Sequence, residues 1–410
     1  VNTYLHFFRR SPRFLTYGFA LVFFSSFGQT FLVSLFGADF RREFSLSHGT
    51  FGLLYSLATL ASALTLATFG KLIDHVPLPR FTTVVCLGLS AACLLMGVAH
   101  GAWQLAVAFF AVRVAGQGFS THTAVTSMAR YFAADRGKAI SVAMLGFPAG
   151  QALLPLPMVW LDGRFGWRAT WLGVGVVLAV GLVPLALWLL RGHADRHRRH
   201  TEATRAGAAA EARPSWSRRQ VVRDGDFYRV LPALLTPTFV LTGLFFHQAH
   251  LADAKGWSLA WLASCFIGLS VTQVLGSLGV GPLVDRFGAP RLLRFFLLPL
   301  VVGLLFVAGP DHPVLALGYL TASGFTLGAG GTIGGALWAE AYGVGHLGAI
   351  RSMTSAITVF STAASPVTMG WLIDRGVSME AIAAASAVWT VLAAALAATA
   401  FGRLRGTRAA

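Results

Sequence analysis

Leu283-Val284-Asp285-Arg286 closes a long apolar stretch. Three other stretches close in nearly the same way: Leu72-Ile73-Asp74-His75, Trp160-Leu161-Asp162-Gly163-Arg164 and Leu372-Ile373-Asp374-Arg375. The aspartates stand 88 residues apart in the first half of the chain and 89 apart in the second, and the two halves are offset by 211 and 212. Chance could give one such match; four at constant spacing mark an internal repeat. The chain therefore reads as two six-helix halves, each made of two three-helix units. An odd number of helices per unit makes successive units enter a membrane from opposite sides.

Composition agrees. Of 410 residues, 55% are hydrophobic and only 12% charged, with a mean hydropathy of +0.66. A soluble domain carries about a quarter charged residues, so disorder and an ordinary soluble enzyme are excluded. The 45 Gly and 16 Pro follow no fixed period, which excludes a collagen-like chain. A helix needs about 20 apolar residues to cross the hydrocarbon core. That rule predicts spans near 14–38, 49–73, 81–100, 103–128, 139–161, 169–190, 230–252, 258–283, 292–309, 314–338, 349–373 and 379–401. The fold expected is an all-α membrane protein with 12 transmembrane helices in two pseudo-symmetric six-helix bundles, 1–190 and 230–410. A basic cytoplasmic loop, 191–229, joins them. The first stretch follows Arg9, Arg10 and Arg13; it is too long for a signal-peptide core and is read as a retained span.

The net charge of +16 is not spread evenly. Lys and Arg crowd the segments that share a side with the N-terminus and are sparse in the others. Basic segments resist translocation, so both termini are expected in the cytoplasm. The densest patch, Arg196-His197-Arg198-Arg199-His200, suits anionic lipid headgroups better than nucleic acid. Cys86, Cys93 and Cys265 lie in apolar stretches without metal-type spacing and read as small core residues. No metal or other cofactor is expected.

Inverted repeats inside parallel halves are the plan of major facilitator transporters, and the chain resembles that superfamily at its motifs. Gly70-Lys71-Leu72-Ile73-Asp74 through Arg80 resembles the cytoplasmic loop motif between helices 2 and 3. Gly281-Pro282-Leu283-Val284-Asp285-Arg286-Phe287-Gly288 with Arg291 is a second copy in the matching loop. The first copy departs from the pattern, with His75 at a usually basic position and Pro77 and Pro79 in place of the Gly turn. Arg113 with Gly116-Gln117-Gly118 resembles the fourth-helix motif. Gly146-Phe147-Pro148-Ala149-Gly150 is loosely similar to the Gly-Pro motif of antiporter fifth helices. Tyr131-Phe132 with Arg136-Gly137-Lys138-Ala139 is similar to a segment of the monocarboxylate and oxalate/formate branches. The resemblance implies a secondary transporter, working as a monomer in the inner membrane of a bacterium. The two loop motifs nominate Gly70, Asp74, Arg80, Gly281, Asp285, Arg286 and Arg291 as gating residues, their aspartates pairing with basic side chains across the half-interface, or else as pairs that only fix topology.

Arg113 is the one basic residue near the middle of a span, and no Asp or Glu lies mid-span. A mid-bilayer Arg costs about 2.5–3.5 kcal/mol on insertion scales, which a partner, water or substrate must offset. At α-helical spacing Gln117, Ser120 and Thr121 share its face, and Gln29 and Thr30 of the first span are expected to line the same cavity. The stripe binds an anionic substrate, or else Arg113 bonds helix carbonyls and holds the bundle together. His122 lies on the opposite face and is assigned a packing or loop-facing role. His247 and His250, three apart, are the candidate proton-coupling groups. Gly324, Gly328, Gly330, Gly331, Gly334 and Gly335 suit close helix packing.

No phosphate-cradling loop or nucleophile–base pair appears, so the chain is not expected to be an enzyme. The leading reading is a proton-coupled carrier of a small organic, monocarboxylate-like anion, working by alternating access. The alternatives are an efflux or uptake carrier for a neutral or amphipathic, drug-type compound, and a transport-dead membrane sensor.

Overall fold

A computed structural model describes residues 11–132, 135–194, 196, 198, 216–343 and 346–400. Arg9, Arg10, His197, Arg199, His200 and most of the basic central loop lie outside the described residues. Every described segment of regular structure is helical. Each expected span coincides with a helical rod, here α1 to α12. Among the described residues eight helices are long and apolar enough to cross a membrane alone, and a bent pair makes a ninth. The remaining expected spans, 103–128, 139–161 and 292–309, are helical but interrupted.

The interruptions have local causes. Rod α1 consists of Pro12–Gly28 and Thr30–Glu43, bent by 47°. The Ser25 hydroxyl bonds back to Val22 O at 2.6 Å, the chain tightens to a 3₁₀ turn over Ser25–Gly28, and Gln29 is extended. Closely spaced Ser and Gly are common kink sites. Helices α2, His48–Phe69, and α3, Leu78–Gly97, are continuous. Rod α4 spans 102–131 and carries a π-helical stretch, Arg113–Ser120, in its middle. Rod α5, 136–165, steps at Leu145 and Leu154. Gly166, at φ +78°, separates it from α6, 167–189. The left-handed conformation is open to glycine at no steric cost.

Two units form by contact: Val1–Leu46 with Leu57–Ala210, and Ser47–Ser56 with Glu211–Ala410. The first turns of α2 thus pack with the second unit. That unit contains α7 (Gly225–Phe246, continued by Gln248–Ala254), α8 (Leu259–Phe287), α9 (Ala289–Leu292 and Leu298–Ala308), α10 (Val314–Tyr342), α11 (Leu347–Asp374) and α12 (Met379–Ala398).

Glycine sets the closest contact in the second unit. A Cβ on Gly324 would stand 2.1 Å from Leu269 O, and one on Gly328 2.0 Å from Gln273 O. Helices α8 and α10 therefore touch backbone to backbone, the packing that small residues permit. In the first unit Tyr17 and Thr82 share a hydrogen bond of 2.6 Å, and Ser90 donates to Gly175 O at 2.7 Å. Such bonds satisfy polar groups where no water can.

Candidate functional site

The bend in α1 exposes a carbonyl that a straight helix would consume. Arg113, 3% exposed, takes it: its Nη1 donates to Gly28 O at 3.3 Å and to Thr30 Oγ1 at 3.4 Å. The two rods cross tightly there. A Cβ on Gly28 would lie 2.1 Å from Val112 O, and one on Gly116 2.8 Å from the Gly28 Cα. Thr30 is thus brought to Arg113, while Gln29 is the half-buried, extended residue at the bend.

The polar stripe expected on α4 is not the one present. Across Arg113–Ser120 the hydrogen bonds run from i to i+5, so the 3.6-residue spacing that aligned Gln117, Ser120 and Thr121 with Arg113 does not hold. Gln117 is exposed. The Ser120 hydroxyl donates to Ala115 O, five residues back, at 2.7 Å. Thr121 Oγ1 is sealed from solvent without a hydrogen-bond partner among the described residues. Arg113 instead donates to Gly28 and Thr30 of α1. Two buried polar groups of the same unit, Ser26 Oγ and Gln151 Oε1, are sealed and lack partners among the described residues; Gln151 escaped the sequence reading. Nothing in the spacing of α5 distinguished Gln151.

His122 Nε2 lies 3.0 Å from Gly70 O. It ties α4 to the first loop motif. In that motif Asp74 forms an ion pair with Arg130, at the end of α4, whose other amino group donates to Ile73 O at 3.3 Å. The expected pairing across the half-interface is therefore corrected for Asp74: its partner belongs to its own unit, because the end of α4 lies beside the α2–α3 loop. Arg80 is exposed. The second copy differs again. Asp285 is exposed and has no ion-pair partner among the described residues, and Arg286 lies over the Phe287 ring at 5.1 Å. Both carboxylate oxygens of Glu340, from α10, accept from Ala289 N at 3.2 and 3.3 Å beside half-buried Arg291. Gly70 is buried and Gly281 half-buried.

The second unit holds a cavity of about 330 Å³ between α7, α10 and α11. Leu231, Leu234, Phe296 and Trp338 supply apolar wall, Thr354 and Thr358 hydroxyl groups, and none of its lining among the described residues is Asp, Glu, Lys or Arg. The Thr354 and Thr358 hydroxyls already donate to Arg351 O and Thr354 O. Gly330, Gly331 and Gly334 of the glycine-rich run lie along this wall, a role beyond helix packing.

His247 sits where α7 breaks, at φ −97° and ψ 21°, and is 3% exposed. Its Nε2 is 3.0 Å from Pro366 O. His250 is half-buried. Between them comes a third imidazole that the sequence did not single out: the His48 ring lies 4.4 Å from that of His250 and 5.6 Å from that of His247.

The Major Facilitator Superfamily family model matches residues 18–271, well over half of the chain. The chain belongs to the major facilitator superfamily. A bacterial homolog of the human lysosomal transporter Spinster, in an inward-facing and occupied conformation, superposes with a TM-score of 0.68 at 18% identity, covering 97% of this chain and 98% of that one. The unoccupied form of that homolog gives 0.67 at 16% identity, with the same coverage. The nucleoside transporter NupG gives 0.70 at 12% identity, covering 93% and 98%. No curated protein matches the chain. At these identities the structures share the fold.

This facilitator is thus an integral multi-pass membrane protein that transports a small molecule, and it is not an enzyme. The twelve rods, two repeated halves and paired loop motifs are the superfamily's architecture.

Proposed function

We propose that this facilitator carries a small, monocarboxylate-like organic anion together with protons. The proposed setting is a bacterial inner membrane, with both termini cytoplasmic and a single chain as the working unit. The observation that carries the anion reading is Arg113, a guanidinium 3% exposed at the crossing of α1 and α4, held by the Gly28 carbonyl and the Thr30 hydroxyl. These two acceptors are neutral. Every hydrogen bond from a guanidinium is already charge-assisted, but a carboxylate acceptor adds ion-pair attraction, and the guanidinium fork matches both of its oxygens. An anionic substrate that displaces Thr30 and draws Arg113 from Gly28 gains the difference and loosens the α1–α4 crossing. Binding is thereby coupled to the bend in α1. Gln29, at the bend, is the neighbouring polar group for the rest of the substrate. His247 and His250 are the proton-coupling groups of this reading.

The charge-free cavity of the second unit supports a second reading, in which the cargo is neutral or amphipathic. Thermal-shift titrations of the purified protein separate the two. Carboxylates should raise the melting temperature in the native protein and fail to do so in Arg113→Ala. Stabilisation by neutral or cationic compounds alone would favour the second reading and discard the first.

A further inference from the structure

The first turns of α2 are held by a clamp from α11 beside three imidazoles. Asp374, the last residue of α11, accepts from His48 N at 2.9 Å and from Gly49 N at 2.8 Å with its two carboxylate oxygens. Ser47 Oγ accepts from Thr50 N at 3.1 Å. Helix starts leave four amides without intrahelical partners, so a carboxylate from another helix supplies half of the cap. The fit is close. A Cβ on Gly49 would stand 2.3 Å from the Trp371 ring, one on Gly52 2.4 Å from Pro366 O, and one on Gly370 2.4 Å from His48 O. Phe51 and Tyr55 pack on Phe246 of α7, with ring centroids 4.6 and 4.7 Å away.

Into this contact α2 brings His48, and α7 brings His247 and His250. From α11 comes a carboxylate seated on the His48 and Gly49 amides, Asp374. Exposed Asp253 and Arg375 follow at the ends of their elements. Asp374 balances one imidazolium. A second or third, at the ring separations of 4.4 and 5.6 Å, meets like charge. A histidine titrates near neutral pH when unperturbed, and separating the rings relieves the repulsion. The parted state therefore binds more protons than the closed one, and linkage makes acid favour parting.

We infer that His48, His247 and His250 form a proton-operated latch: protonation beyond the single charge that Asp374 balances releases the start of α2 from α7 and α11. The latch rests on the proton-coupled reading above and gives it a moving part. On the proposed orientation the latch faces away from the cytoplasm, so external acid opens the carrier toward the side from which protons enter.

Distance measurement tests the latch without substrate or flux. Spin labels on Thr50→Cys and Arg375→Cys, both exposed positions, report the α2–α11 separation in the full-length protein in lipid. The native cysteines are buried. Between about pH 7.5 and about pH 5.5 the ratio of long to short distances should rise at least about tenfold, the change for one proton over one pH unit. His48→Gln, His247→Gln and His250→Gln combined should abolish that rise, and Asp374→Ala should show the long distance already at the higher pH. A distance distribution independent of pH, or a rise that persists in the triple variant, overturns the latch. If the distances respond to pH while uptake in vesicles is indifferent to a proton gradient, the latch stands and proton coupling fails. The converse result keeps coupling and removes the latch.

Discussion

Lys255 and Glu380 are joined at 3.3 Å in the second unit, and their counterparts 212 residues earlier, Glu43 and Arg168, are joined in the first with the charges exchanged. The carbonyls match as well. Lys255 donates to Gly309 O at 2.7 Å, after α9, and Arg168 to Ala99 O at 2.5 Å, after α3. Each staple ties the end of the first helix of a half to the start of its sixth and to the end of its third. The repeat has kept the attraction and reversed its sign.

The staples differ in burial, and that makes an asymmetric prediction. The Lys255 side chain is fully buried, whereas Asp311 and Glu380 are 68% and 34% exposed. Removing both acids by Asp311→Asn with Glu380→Gln strands a buried ammonium, and breaking a buried pair in that way costs about 3–5 kcal/mol. Lys255→Met leaves two carboxylates that water can solvate, so it should cost clearly less. Chemical or thermal unfolding in detergent gives the order; equal losses would contradict it.

Gly28→Ala and Gly116→Ala should each destabilise the first unit strongly, because a Cβ would stand 2.1 and 2.8 Å from backbone atoms. Gly137→Ala, which meets nothing within 4 Å, should be neutral or slightly stabilising at its helical position. The difference in melting temperature between these variants is the readout. Tolerance of Gly28→Ala would mean that α1 and α4 do not cross as closely as described.

Asp74 and Arg130 are 54% and 23% exposed, so their ion pair should contribute only about 0–1 kcal/mol to stability. Asp74→Asn is therefore expected to leave the melting temperature nearly unchanged. If the pair gates, transport rate must change far more than stability. A rate equal to wild type would reduce the pair to a fixture of topology.

The length and placement of the spans were legible because the bilayer demands long apolar runs, and no local irregularity hides a run of 20. The repeat was legible because helix ends need Asp and basic residues at fixed places. What failed was the register within α4. Nothing in Arg113-Val114-Ala115-Gly116-Gln117-Gly118 announces a π turn, which lies at the crossing with Gly28 and directs Ser120 to Ala115 O. His48 was missed for a related reason. It lies 199 residues from His247 in sequence, and only the docking of α2 on α7 and α11 brings the rings together. Nothing in the sequence singled out Lys255, since its three acceptors are remote in the chain.

The cavity of the second unit yields a further prediction. Thr358→Trp should fill a large part of its volume of about 330 Å³. If the substrate's body uses that cavity, uptake falls while the melting temperature holds. Unchanged uptake would exclude the cavity from the path.

The central claim is that Arg113 binds a negatively charged cargo. Uptake of labelled monocarboxylates into proteoliposomes, for the native protein and for Arg113→Ala and Arg113→Lys, tests it most directly. The account predicts saturable uptake in the native protein, none in Arg113→Ala, and weakened uptake in Arg113→Lys, which keeps the charge but loses the fork. Native-level monocarboxylate uptake by Arg113→Ala would contradict it.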